Sequence, residues 1–128
     1  MPIHRFQDAP LAPERAHLGE GKLQAARVRG AAAGSGINFI DLVDIPPGTT
    51  IGAHRHAATD EEIYVVISGT GTMLIDGAEQ AVASGDVIVN PPGGLHALRN
   101  TGAEAIRLVV IDVSTDGTPY VLPRDGAA

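Results

Sequence analysis

The chain has no cysteine among its 128 residues. Disulfides and thiolate ligands are therefore excluded, and any metal ion has to be held by nitrogen and oxygen. Positive charge is also scarce: 9 Lys and Arg stand against 15 Asp and Glu, for a formal net charge of -6. With no basic patch to neutralise phosphates, the sequence argues against nucleic acid or an anionic membrane surface as a partner. No apolar run approaches the roughly 20 residues that a membrane span requires. The opening Met1-Pro2-Ile3-His4-Arg5-Phe6 lacks the apolar core of a signal peptide, so the expected location is the cytoplasm.

What is present suffices for one core. Apolar residues make up 44% of the chain and charged residues 19%, which suits a globular domain without the signature of disorder. Turn formers recur at short intervals, as in Pro46-Pro47-Gly48, Ser68-Gly69-Thr70-Gly71, Asp76-Gly77, Ser84-Gly85-Asp86, Pro91-Pro92-Gly93-Gly94 and Asn100-Thr101-Gly102. Between them lie β-branched and aliphatic runs at 37–45, 63–67, 72–75, 86–89 and 105–113, which read as strands. Some of these, such as Leu108-Val109-Val110-Ile111, are apolar at consecutive positions, as in strands covered on both faces by a second sheet or a partner subunit. Asp76-Gly77 predicts a tight hairpin. Residues 1–36 read as an N-terminal extension, with Leu23–Arg29 as an added edge strand and a flexible Gly- and Ala-rich loop after it. Residues 37–122 form the expected barrel, and 123–128 a fraying tail.

His54 and His56 are two apart on an extended segment, so both imidazoles project from one face. Glu62 opens the next strand and brings a carboxylate toward the same place. His96, behind the rigid Pro91-Pro92-Gly93-Gly94 turn, supplies a third imidazole. Three nitrogens and one carboxylate make a divalent transition-metal set. By the same alternation Arg55 points away, while Tyr64 shares the inward face with Glu62 and is a candidate pocket residue, its alternative being ordinary core packing. His4 and His17, in irregular sequence, are left out of the site as packed or surface residues. Asp60 reads as part of a solvated acidic loop.

These residues fall in two motifs, and the arrangement resembles the cupin superfamily over roughly residues 37 to 113. The first motif of that family is matched by Gly48, His54, His56, Glu62 and Gly69, and the second by Gly85, Pro91, Gly93, His96 and Asn100. One spacing departs from the pattern: residues 57–61 put Glu62 one position later than usual, so Glu61 is the alternative carboxylate. Glu62 is preferred because it keeps the interval to Gly69, which lies within a strand, where register is harder to shift than loop length. The resemblance implies an all-β fold, an antiparallel double-stranded β-helix or jelly-roll barrel. It also implies one divalent metal ion, manganese or iron first, with nickel and zinc also suited to the ligands. A small-molecule substrate or ligand would meet the ion at an open position, where the ion acts as Lewis acid or presents dioxygen to it. Dioxygenase-type and isomerase- or epimerase-type chemistry both fit, and the alternative is a non-catalytic binding or sensing cupin. A homodimer is expected from the apolar residues on both strand faces.

Overall fold

The structure, a computed structural model, describes residues 3–120. The expected tail at 123–128 and the end of the expected barrel at 121–122 lie outside them. Ten strands appear among the described residues: β1 (Ala12–Glu14), β2 (Leu23–Arg29), β3 (Ile37–Ile45), β4 (Thr50–Arg55), β5 (Asp60–Ser68), β6 (Thr70–Ile75), β7 (Ala78–Ala83), β8 (Val87–Asn90), β9 (Leu95–Arg99) and β10 (Ile106–Ser114). They make a six-stranded sheet, β1-β2-β3-β10-β5-β8, and a four-stranded sheet, β4-β9-β6-β7, paired antiparallel throughout. This is the all-β, two-sheet barrel that the strand pattern predicts. No helix among the described residues is long and apolar enough to cross a membrane.

Alternation decides which side chains meet between the sheets. On β5, Glu62, Tyr64 and Val66 are buried while Ile67 is exposed, so one face of the strand serves the interior and the other faces out. Tyr64, Phe39, Leu23, Ile45, Met73, Leu98, Ile106 and Leu108 are fully buried and form the apolar core. The hairpin between β6 and β7 turns at Asp76 and Gly77, with φ of 46° and 85°. A two-residue loop with both residues left-handed matches the twist of the flanking strands.

β2 forms over the predicted residues, but it is not an edge. Gln24, Ala25, Ala26 and Arg27 pair with Asp44, Val43, Leu42 and Asp41 of β3, and β1 covers the other side. The edge falls to a three-residue strand containing Pro13, a short and proline-blunted edge that resists further pairing. Arg27 fixes β2 to β3 by a forked ion pair with Asp41, at 2.9 and 3.1 Å, and lies 4.0 Å over the Phe39 ring.

Two local features position the site. Asn100 donates from Nδ2 to the carbonyls of Ile45 (2.8 Å) and Glu104 (2.7 Å) and accepts from the Gly102 amide (2.9 Å), clamping the end of β9 to the end of β3. Between β1 and β2, a 3₁₀ turn over Ala16–Leu18 carries two consecutive non-glycine residues in the left-handed region, His17 at φ 51° and Leu18 at φ 57°. Each such residue costs about 1–3 kcal/mol, which the contacts around it have to offset.

Candidate metal centre

His54, at the end of β4, faces His96 on β9 as its cross-strand neighbour, and His56 follows one residue beyond β4. Glu62 comes from the opposite sheet, in an inward row with Asp112 on β10 and Asn90 on β8. The barrel thus closes three imidazoles of one wall over a carboxylate of the other. His54 Nε2 and His56 Nε2 are 3.2 Å apart. Glu62 Oε1 is 3.1 Å from His56 Nε2 and 3.3 Å from His96 Nε2. Donor atoms of all four residues lie within 4.8 Å of one another. Glu62 is wholly buried and its carboxylate is the one in the cluster; Glu61, the alternative, lies on the other face of the strand.

The far nitrogens explain why the near ones converge. His54 Nδ1 donates to the Gly52 carbonyl at 2.7 Å, and His56 Nδ1 to Asp60 Oδ2 at 3.1 Å. A ring that donates from Nδ1 keeps its lone pair on Nε2 when neutral. Two lone pairs and a carboxylate oxygen therefore point at one small volume, an arrangement that needs a proton or a cation between them.

Electrostatics follow from this geometry. Burial, and next the neighbouring His17, push the His54 imidazole down to about 3. Burial would also lower His56, but the Glu62 and Asp60 carboxylates outweigh it and raise it to about 9. Burial works against ionisation of Glu62, yet His56 and His96 hold its carboxyl well below the usual range. Asp112, wholly buried, accepts from Asn38 Nδ2 at 2.7 Å and lies 3.6 Å from His56 Nδ1. Burial, and then the nearby Asp60, push its carboxyl up.

A cavity of about 370 Å³ opens beside the imidazoles, with His17, His54, His56, Asp60, Asp112 and Tyr120 among its walls. A larger groove of about 510 Å³ runs along Thr72, Leu74, Ala97 and Arg99 of the smaller sheet and is lined by none of the four donors. Two sequence expectations change and a third is decided. His17 is not peripheral: its ring stacks on His54, with centroids 3.4 Å apart and planes within 9°. Asp60 is not simply solvated, because it holds His56. For Tyr64 the packing alternative holds: it sits in the core, off the wall of this cavity, meeting the His96 ring edge-on at 5.5 Å and lying beside the Glu62 carboxylate. Arg55 does leave the imidazole face, donating to the Gly93 carbonyl at 2.6 Å. Asp112 carried a signal in the sequence, being an acid inside an apolar run, whereas nothing in the sequence pointed to the stacking of His17.

A family model described as Cupin domain matches residues 41–112, more than half of the chain. The chain is a cupin. This cupin is 25% identical over 109 residues to an oxalate-binding protein of Thermotoga maritima, covering 82% of this chain and 89% of that one. It is 37% identical over 57 residues to 5-aminosalicylate 1,2-dioxygenase of Comamonas, which covers 44% of the chain and 15% of the dioxygenase. Among solved structures it superposes on a predicted oxalate decarboxylase from Thermotoga maritima with a TM-score of 0.82 at 22% identity, covering 88% and 98% of the two chains. The donor set of this cupin fits a divalent transition ion: three imidazole nitrogens and one carboxylate. Glu62 Oε2 is buried without a hydrogen-bond partner among the described residues, as a site built around something other than protein would leave it.

Proposed function

We propose that this cupin holds one divalent ion, manganese(II) or iron(II) before nickel(II) or zinc(II), through His54, His56, His96 and Glu62, and acts as a metal-dependent enzyme on a small molecule bound beside it. The observation that carries the reading is the convergence of three Nε2 atoms on Glu62 Oε1 within 4.8 Å, with two of the far nitrogens already tied to Gly52 and Asp60. Such partners orient a ligating imidazole and raise its basicity. The ion, when bound, supplies Lewis acidity and open positions for an oxygen-donor substrate. The chain supplies the rest. Glu62 contributes the single negative charge of the donor set, leaving a net positive centre that favours an anionic or oxygen-rich partner. Phe39 and Tyr120, edge to face at 5.4 Å, form an apolar wall that limits water. Asp112 Oδ2, buried on the cavity wall and without a hydrogen-bond partner among the described residues, is the group best placed to exchange a proton with a bound molecule.

Capture without turnover is the second reading, favoured by the similarity to an oxalate-binding protein over most of both chains. The two separate by experiment. The protein is reconstituted with Mn(II) or Fe(II) and offered oxalate, small hydroxy acids and sugar phosphates, while oxygen uptake, product and ligand heat are followed. Product from any of these supports the enzyme; oxalate retained unchanged supports capture. Failure to retain any ion after reconstitution refutes both.

A homodimer completes the proposal. Across the outer face of the six-stranded sheet, Val109, Val65 and Val87 align in one row of paired strands, which Leu42 and Ala26 continue where the chain itself already buries them. Ile40, Ile111, Ile63 and Val89 align in the next. Val87 and Val89 are 62% and 55% exposed. A contiguous apolar sheet face of this kind is characteristic of a surface that a partner covers, and a second copy of the same sheet is its self-complementary match.

A further inference from the structure

We propose that His17 is a positioning residue of the metal centre, its ring fixing the plane in which His54 presents Nε2. The inference rests on the metal reading above and adds to it a residue from outside both sequence motifs. Its first support is the stack itself: the His17 ring lies parallel to His54 at 3.4 Å. His54 is held from three sides by this contact, by the hydrogen bond from Nδ1 to Gly52, and by the His96 ring edge-on at 4.3 Å. Removing the stack leaves one side of the ring open to the cavity.

The second support is how the turn is built. His17 and Leu18 both adopt left-handed backbone without being glycine. Leu18 is 77% exposed, so burial of its own side chain does not compensate its strained backbone. What the turn accomplishes is the placement of His17. Contacts on β4 hold it there. The Glu20 amide donates to Thr50 Oγ1 at 2.7 Å, and the Thr50 amide to the Glu20 carbonyl at 3.0 Å. Ala16 is buried in the core cluster. At the closest approach both segments carry glycine: a Cβ on Gly52 would collide with the His17 carbonyl oxygen, and one on Gly19 with the Thr50 carbonyl oxygen. Two glycines and two left-handed residues are spent on docking one imidazole, and the ring it reaches is a member of the donor set.

The test uses the full chain and Co²⁺ alone as probe, since its visible d–d bands report ligand geometry while a competing chelator reports affinity. Wild type is expected to bind one Co²⁺. His17→Ala should bind about tenfold more weakly, within the range found when outer-shell partners of metal ligands are removed, and its d–d bands should change. His17→Phe keeps a flat ring and should stay within about threefold of wild type, because the stack needs the ring face and not its nitrogens. His17→Gln keeps polar atoms without a ring and should behave like His17→Ala. Circular dichroism checks that each variant is folded, and if His17→Ala is not, the Phe and Gln variants carry the comparison. Unchanged affinity and bands in His17→Ala, or rescue by Gln and not by Phe, would overturn the proposal while leaving the metal centre intact. Wild type that binds no Co²⁺ would overturn the metal reading itself.

Discussion

Metal affinity should climb with pH across the neutral range, and His56 sets how far. Without an ion, burial alone would depress this imidazole, but the Glu62 and Asp60 carboxylates at 3.1 Å on either side of the ring override it and keep a proton there up to about 9. An incoming ion needs the Nε2 lone pair and has to displace that proton. At two pH units below the midpoint the protonated ring outnumbers the neutral one by about 100 to 1, each unit being roughly tenfold. Apparent affinity at pH 7 is therefore about 100-fold below its limit and rises about tenfold per unit until pH nears 9. His54, pushed down to about 3, has no proton to release in this window. The sign for stability of the ion-free chain is the reverse. A raised folded-state value means that the His56 ion pair contributes fully below the ordinary imidazole range near ~6.5 and is lost as pH rises through about 9. Calorimetric titration with Co²⁺ at pH 7, run in two buffers of different ionisation enthalpy, should report close to one proton released per ion bound. Zero proton release at pH 7, with affinity flat from there to pH 8.5, would show that His56 titrates in its ordinary range and that the two carboxylates do not hold it.

Three further outcomes are expected. His56→Ala should abolish stoichiometric metal binding in equilibrium dialysis while His4→Ala, altered at an exposed position, leaves it intact; equal metal content in both would remove His56 from the site. Asn100→Ala deletes three hydrogen bonds to Ile45, Glu104 and Gly102 and should cost about 2–4 kcal/mol in urea unfolding, since each bond is worth about 1 kcal/mol and buried carbonyls are left unpaired. A loss under about 1 kcal/mol would show that the clamp is not needed. Replacing Val87 and Val89 together by Lys should halve the mass seen by light scattering, because both side chains stand on the exposed part of the apolar face; an unchanged mass would place the subunit contact elsewhere.

Much of the barrel was readable because its strands are buried unevenly. Residues 37–45 and 105–113 carry so many β-branched and aliphatic side chains between turn formers that β3 and β10 fall where the pattern puts them. Asp76-Gly77 named its hairpin because few residues tolerate two left-handed positions in a row. The same rule hid the turn at His17 and Leu18, where neither residue advertises that backbone and tertiary contacts with β4 impose it. Glu62 was distinguishable from Glu61 by counting along a strand, since a one-residue slip moves a side chain to the opposite face. Asp60 was misread because an acidic run beside a loop is usually solvated, and its role appears only when His56 Nδ1 is seen to need an acceptor. Tyr64 was correctly turned inward, where it packs in the core between the apolar interior and the Glu62 and His96 side chains, off the wall of the cavity.

The four donors all fall within residues 41–112, the stretch that the family model matches. His17, Asn38, Phe39 and the Thr118–Tyr120 stretch, which surround the opening, do not. The candidate donors thus lie wholly inside the family-matched stretch, while the cavity beside them is walled partly by that stretch and partly by residues on either side of it. Change in the leading and trailing segments can reshape what enters without replacing any of the four candidate donors, except that change at His17 also reaches the ring on which His54 rests.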